Sequence, residues 1–488
     1  MPAPERIEAD IAVVGAGAAG LYAAYTGARG GARVALVSAT PLARTASYWA
    51  QGGLAAALAV DDSPDLHRED TERAGRDLVR SSAASVLCRE APRTVSELER
   101  LGVHFDADRH GNLALGLEGG HSRRRVVHAG GSATGRRVVR QLSAVVVETD
   151  GVNVIEGARA ARLWTHDGRC VGVVCEDGRA IHARAVVLAT GGSAALWRRT
   201  TNPPGSLGIG LLLAREAGAA LADLELMQFH PTAVTGVKGR EGFLVTEAIR
   251  GEGATLLDAR GERFVEELAP RDEVARAIWA TMAESGASSV DLDMRAVDPL
   301  LFPNVVSALR DAGLDPAREL VPVAPAAHYG MGGIVTDLDG ATTVPGLYAV
   351  GESACTGLHG ANRLASNSLS ECFVFGARAS SAALAEPRES PGQAPPEPPA
   401  APPLQAPSRE TRAALWEHAG LVRDAEGLRA LAEHPHPLAA LIARHALLRT
   451  ETRGAHIRSD FPERDPALDR HHTVTHGDAE GPAFERWV

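Results

Sequence analysis

The stretch Ile11-Ala12-Val13-Val14-Gly15-Ala16-Gly17-Ala18-Ala19-Gly20 decides the fold. Its first four residues are apolar without interruption, as a strand buried on both faces of a parallel sheet requires. Three glycines at G-x-G-x-x-G spacing follow, and the next stretch, L-Y-A-A-Y-T-G-A-R-G, reads as a helix. A second apolar run at residues 34–37 (V-A-L-V) closes a strand–turn–helix–strand unit. In that context the glycines have separate tasks: one permits the turn, one admits a pyrophosphate, one lets helix and strand pack closely. The phosphates belong at the helix N-terminus, where free N–H groups and the helix dipole favour anions. The unit predicts an α/β, Rossmann-like dinucleotide-binding domain.

Working outward, short apolar runs at residues 152–155, 171–174 and 186–189 read as further strands, the last leading into Thr190-Gly191-Gly192. Residues 224–329 change to a mixed pattern of helix and loop. A late run, T-V-P-G-L-Y-A-V-G-E at residues 343–352, reads as a core strand ending in a carboxylate, Glu352. A strand of this kind in many flavoproteins places its acid against the ribityl chain. Together with the N-terminal fingerprint it indicates FAD rather than NAD, because FAD sites draw on both ends of the chain. No second G-x-G-x-x-G occurs, so the substrate itself, rather than a nicotinamide, is expected to reduce the flavin. The acid that often follows the second strand to hold the adenosine ribose is replaced by Ser38, whose hydroxyl can make one of those bonds.

The chain has 488 residues and a formal net charge of -11. Its length suggests two to four domains and ample core. The acidic balance argues against a nucleic-acid surface and against adhesion to anionic membranes. Five cysteines without a C-x-x-C pair disfavour a disulfide framework or a metal cage and fit a reducing cytoplasm. Lys238 is the single lysine, and its polar, glycine-flanked setting offers none of the desolvation that Schiff-base chemistry needs. No targeting segment and no apolar run long enough for a membrane span is visible. Residues 386–408 are proline-rich and read as an extended linker, and residues 409–488 read as helical.

The ordered motifs A-Q-G-G (residues 50–53), E-G-G-H-S (118–122), T-T-N-P (200–203), Q-F-H-P-T (228–232), T-E-A-I-R-G-E-G (246–253), A-P-R-D (269–272), A-A-H-Y (326–329) and G-L-H-G-A-N-R-L-A-S-N-S-L (357–369) resemble the fumarate reductase/succinate dehydrogenase flavoprotein superfamily, and within it the L-aspartate oxidase family. The resemblance spans residues 8–385 and part of the C-terminal region. It implies an FAD-binding domain over 1–223 and 330–385, an inserted α+β capping domain over 224–329, and a C-terminal helical domain over 409–488. It also implies cofactor contacts from Gly15, Ala16, Gly17, Ala18, Ala19, Gly20, Ser38, Ala46, Ser47, Ala50, Gln51, Gly52, Gly53, Thr190, Gly191, Glu352, Ser368 and Leu369. Relatives that tether FAD do so through a histidine four residues before A-Q-G-G. Here that position is Ala46, so the FAD is expected to be non-covalent. The region after T-T-N-P departs from the family's usual G-D-G turn and carries Leu207 instead.

The implied reaction is oxidation of L-aspartate to iminoaspartate, a precursor for pyridine nucleotides, by hydride transfer from Cα to flavin N5. Electrons pass on to oxygen or fumarate. The alternative is a soluble fumarate reductase with free FAD. Carboxylate clamps are expected at His230, His328 and Arg363, with Thr246 and Glu247 nearby. Glu118 stands where the fumarate and succinate enzymes carry Phe, and a carboxylate there can pair with the ammonium that distinguishes aspartate from succinate. The family assigns proton transfer to Arg271. A guanidinium keeps its proton in nearly all sites, so Arg271 reads either as part of a relay with acidic neighbours or as an electrostatic clamp. Quinolinate synthase is a candidate partner; neither nucleic acid, membrane nor metal is expected.

Overall fold

The computed structural model describes residues 5–387, 397–401, 406–477 and 479–488. The N-terminal unit forms as its sequence requires. Strand Arg6–Val14 runs into the glycine turn, helix Ala18–Arg29 follows, and strand Val34–Ser38 returns parallel to the first. The sheet grows in both directions from this pair. Strand Val152–Glu156 lies parallel to Val34–Ser38, and Ala180–Leu188 lies parallel to Arg6–Val14. The late strand Leu347–Ala349 pairs with the end of Ala180–Leu188, next to the glycine turn. Strands Arg169–Cys175 and Ala160–His166 extend the sheet antiparallel.

Alternation along the first strand separates two cores. Ile11 and Val13 pack with helices Ala18–Arg29, Thr134–Glu148 and Asn367–Leu384 on one face. Ala12 and Val14 face the other core, which includes Trp197, Leu415, Leu428, Leu438 and Ile442. The C-terminal helices therefore close the second face of the sheet, and Trp197 donates its indole N–H to the Ala419 carbonyl at 2.8 Å.

The segment read as mixed helix and loop contains a four-stranded antiparallel sheet. Its order is Met227–Val234, Val321–Gly330, Val290–Asp293, Thr255–Leu257. Helices Arg271–Ser285 and Pro303–Arg310 cover it over a core of its own, which includes Leu256, Val274, Ile278, Leu292 and Leu309. Strand Met227–Val234 carries Gln, His, Pro and Thr and has two register irregularities, which hide its period from the sequence.

Helices occur in the C-terminal region at Arg409–His418, Ala425–Ala432 and Pro437–Leu448, the first two capped by Ser408 and Asp424. The helical reading fails beyond Leu448. Strand His471–Thr475 pairs antiparallel with Leu221–Ala222 and with Ala483–Arg486. The physical reason is polar satisfaction as much as β-branching. His472 meets Asp223 at 2.5 Å, the Thr473 hydroxyl donates to Glu225 at 2.8 Å, and Thr475 meets His445 at 2.9 Å. Buried Arg449 joins Glu225 at 2.7 Å and Glu451 at 3.1 Å, and Glu451 pairs with buried Arg453 at 2.7 Å. Of the proline-rich stretch, residues 388–396 and 402–405 lie outside the described residues. Arg162 donates to the Ala400 carbonyl at 3.1 Å. No helix among the described residues is long and apolar enough to cross a membrane, and all five cysteines are free.

Candidate active site

The cofactor cradle is built by close approach of backbone. Gly15 takes φ +107°, and a Cβ there would lie 2.3 Å from the Ala189 carbonyl oxygen; a Cβ on Gly20 would lie 1.8 Å from the Gly15 oxygen. Ala16, Ala18 and Ala19 are buried around this turn. Gly17 precedes the helix without a side-chain cap, and the Ala18 N–H donates to the Ser47 hydroxyl at 3.1 Å, which places the turn containing Ala46 directly over the helix start. Ser38 is buried at the end of its strand and donates to the Thr40 carbonyl at 2.5 Å, leaving its oxygen able to accept.

The A-Q-G-G segment lies between this turn and the inserted sheet. Ala50 accepts from the Gly135 N–H at 3.0 Å. Gln51 donates to the Leu244 carbonyl at 2.7 Å, while its carbonyl oxygen is buried with no hydrogen-bond partner. A Cβ on Gly53 would lie 2.3 Å from the Val127 oxygen, and one on Gly52 would touch the Ser366 hydroxyl. Opposite stand Thr190, whose hydroxyl is buried and unpartnered, and Gly191 at φ +76°. Glu352 accepts from the Gly330 N–H at 3.0 Å, and a Cβ on Gly192 would lie 2.0 Å from its Oε1. Burial pushes the Glu352 carboxyl up to about 7, with the Gly330 N–H and Arg363 opposing. Hydroxyls donated by a ribityl chain are what such a carboxyl lacks. Ser368 and Leu369 complete the rim in the first turn of helix Asn367–Leu384. Orphaned acceptors, a helix start and tight glycine contacts suit a dinucleotide with a polyol chain, so these residues fit FAD.

A cluster of charges lies beside this cradle. Strand Met227–Val234 presents Gln228 and His230, and its partner Val321–Gly330 presents His328, so the two imidazoles meet at 5.0 Å between ring centroids. Burial, reinforced by the Arg271 charge, holds both well below the usual imidazole range. His230 Nδ1 accepts from the Thr232 N–H at 3.3 Å, which puts the proton of the neutral ring on Nε2. Thr201 shares a 2.7 Å hydrogen bond with His328 Nδ1.

Arg363 and Arg271 converge on one acceptor, Gln228 Oε1, at 3.1 and 3.2 Å. Gln228 is fixed in turn by donating to Asn362 Oδ1 at 3.0 Å and to the Arg363 carbonyl at 2.9 Å. Arg363 lies 4.4 Å from the centroid of the Tyr329 ring, donates to Ser368 at 3.0 Å, and has a buried Nε without a partner. Burial lowers its guanidinium to about 10. Arg271 is the first residue of helix Arg271–Ser285 and donates through Nε to Glu247 Oε2 at 2.6 Å. Glu247 Oε1 accepts the Gly119 N–H at 2.7 Å, and Arg250 stands 3.7 Å away. Burial would raise the Glu247 carboxyl, but Arg271 and Arg250 hold it below the usual range. Thr246 is buried beside Glu247.

Glu118 joins the cluster from the loop before Gly119, whose N–H binds Glu247. It is 2% exposed. Burial opposes its charge, but the nearby His128, the Ser366 hydroxyl and the Arg271 charge hold its carboxyl down to about 2. Oε2 accepts from Ser366 at 2.6 Å, whereas Oε1 lies 3.4 Å from His128 Nε2 and has no hydrogen-bond partner. Ser366 adopts φ +58°, an uncommon conformation for a side-chain-bearing residue, and accepts from the Gly53 N–H at 3.1 Å. It thus ties Glu118 to the A-Q-G-G loop.

The contacts above bring Glu118, His230, Glu247, Arg271, His328 and Arg363 into one cluster, with Thr246 next to Glu247 in the chain. Sequence reasoning did not single out Gln228, Arg250 and Ser366, although each lies inside a quoted motif. Nothing in the sequence marks His128, which only tertiary contact brings to Glu118.

Residues 10–369 match the FAD binding domain family, and residues 432–486 match the fumarate reductase flavoprotein C-terminal family. Among solved structures, a quinol-fumarate reductase with menaquinol molecules is similar with a TM-score of 0.89 at 30% identity, covering 99% of this chain and 98% of that one. The L-aspartate oxidase of Caulobacter vibrioides is 46% identical over 93% of this chain and 94% of its own length. That of Streptomyces coelicolor is 42% identical over 97% and 92% respectively. With likeness of that extent at both ends of the chain, and with Ala46 and Glu118 standing in the site as described, this protein belongs to the L-aspartate oxidase family of FAD-binding flavoproteins.

Proposed function

We propose that this chain oxidises L-aspartate to iminoaspartate, the entry step of pyridine nucleotide synthesis, and that the electrons go on to oxygen or fumarate. The observation that carries the reading is Glu118 Oε1, a buried, ionised oxygen without a donor, beside a set of carboxylate-binding groups. Dianionic succinate or fumarate would meet repulsion there, while the aspartate ammonium meets an opposite charge.

Each side chain has a distinct task. Arg363 and the neutral Nε2–H of His230, with His328 beside it, bind the two carboxylates. Gln228 holds both arginines at a fixed spacing, so the substrate does not have to order them on arrival. Arg271 keeps its proton and acts as an electrostatic clamp near Cα, with Glu247 fixing its orientation. The ammonium must lose a proton before Cα can release a hydride. Glu118 Oε1, 3.4 Å from His128 Nε2, pairs with the ammonium and holds the nitrogen in place while that proton leaves. FAD, when bound, supplies the hydride acceptor. The inserted domain, which carries His230, Glu247, Arg271 and His328, excludes water from the site.

Anaerobic addition of L-aspartate to the yellow holoenzyme tests this directly. The reading requires bleaching of the flavin and formation of an unstable imino acid that hydrolyses to oxaloacetate. Bleaching by succinate but not by aspartate would replace it with the fumarate-reductase reading.

A further inference from the structure

The helix that begins with the reactive-site arginine is held from outside the site. Arg76 spans the boundary between the FAD-binding domain and the inserted domain. Its guanidinium donates through Nε to Asp272 Oδ2 at 3.0 Å, and through one amino group to Asp272 Oδ1 at 3.1 Å and Glu273 Oε1 at 2.6 Å. Asp272 and Glu273 directly follow Arg271 in the first turn of helix Arg271–Ser285. The grip is two-pronged, which fixes direction as well as distance.

Arg76 is itself held in an unusual backbone state. Arg76 and Asp77 adopt φ +57° and +62°, conformations that side-chain-bearing residues rarely take. The C-terminal region maintains them. Arg453 donates to the Arg76 carbonyl at 2.7 Å, the Arg470 N–H donates to the Asp77 carbonyl at 2.9 Å, and Arg464 pairs with Asp77 at 2.9 Å. The same turn touches the other arginine clamp: the Ala361 N–H donates to the Gly75 carbonyl at 3.0 Å, and Asn362 donates to the Ala74 carbonyl at 3.2 Å. Asn362 is the residue that fixes Gln228.

We propose that Arg76 is a positioning residue: it latches the start of the Arg271 helix onto the FAD-binding domain and so sets where Arg271 stands against Gln228 and Glu247. The C-terminal region serves the reaction through this turn, although none of its described residues contributes a group to the site. The inference rests on the aspartate-oxidase reading for its kinetic arm only. Arg76 touches none of the substrate-binding side chains. Its loss should therefore leave carboxylate binding by His230 and Arg363 intact and disturb the placement of Arg271 near Cα.

The test compares holoenzyme with R76M, R76K, D272N and the double variant R76M/D272N. Turnover is normalised to bound flavin, and hydrogen exchange is followed over residues 266–280 with and without flavin. R76M should lower kcat about tenfold, the scale of effect that a misplacement of less than an ångström produces, with KM for L-aspartate changed less than about twofold. R76K should recover part of the loss, the double variant should be no worse than R76M, and exchange over 266–280 should quicken. Unchanged kcat per flavin in R76M would overturn the proposal. So would losses confined to flavin content or melting temperature, or losses in the double variant that multiply. If wild-type enzyme itself fails to turn over aspartate, the functional reading falls, and exchange in R76M still decides whether the latch exists.

Discussion

Replacing Glu118 by Gln separates the role of its charge from that of its shape. The isostere keeps the volume and an oxygen for the Ser366 hydroxyl, but removes the negative charge that faces the substrate ammonium. The carboxyl is held down to about 2, so in the native enzyme it is ionised throughout the working pH range. Its Oε1 accepts no hydrogen bond from the protein and has the His128 ring 3.4 Å away, so the hydrogen bond lost is the one with substrate. A hydrogen bond to a charged group contributes about 1.5–3 kcal/mol, and each 1.36 kcal/mol is a factor of ten. The loss in kcat/KM for aspartate should thus be about 10- to 150-fold. Succinate carries no ammonium, so its binding should change less than about threefold or improve slightly as repulsion falls. The assay is stopped-flow flavin reduction by aspartate, run beside spectral titration with succinate. Equal losses for both ligands would refute the reasoning, as would a pH profile for aspartate with a Glu118 limb near neutrality.

Three further outcomes follow from the geometry. Gly20→Ala drives a Cβ toward the Gly15 oxygen at 1.8 Å, so flavin retention after gel filtration should fall at least about tenfold; full occupancy would contradict the cradle. Glu352, pushed up to about 7 from an ordinary 4.5, favours the folded flavin-free protein fully below the ordinary value and loses that contribution as pH rises through 7. Flavin-free wild type should therefore melt several degrees lower at alkaline than at mildly acidic pH relative to E352Q, and parallel melting curves would count against it. Arg449→Met leaves buried Glu225 without its 2.7 Å partner and should cost roughly 3–5 kcal/mol in denaturant melts, whereas a change below ~1 kcal/mol would show the network to be dispensable.

The dinucleotide unit was legible because its signals are local. An apolar run, three glycines and a helix lie within one short stretch, and each has a steric reason visible at its own position. Ala46 and Glu118 were legible in the same way, since a missing nucleophile or an added charge changes chemistry wherever the fold places it. The strand Met227–Val234 was not, because a strand that lines a site carries Gln, His and Thr where the period would place apolar residues. The closing strand His471–Thr475 was hidden for a related reason. Its partners Asp223, Glu225 and His445 lie far away in the chain or on a helix, and no local pattern announces a buried ion network. The pairings of Arg76 with Asp272 and of His128 with Glu118 are likewise long-range and leave no trace in composition or spacing.

The far-closing strand also has a bearing on how the molecule is made. Thr473 bonds to Asp223, a residue 250 positions earlier. A ribosome adding about 5–20 residues per second needs roughly 12–50 s to supply that partner. Until the C-terminal region is made, Asp223 and Glu225 have neither Arg449 nor the final strand, and the second face of the central sheet lacks the helices of residues 409–448. The nucleotide-binding turn, by contrast, is among the first segments to emerge. The first cofactor contacts and the sealing of the interior therefore fall at opposite ends of biosynthesis, and a nascent chain cut short of strand His471–Thr475 leaves Asp223 and Glu225 without their strand partners, open to chaperones and proteases.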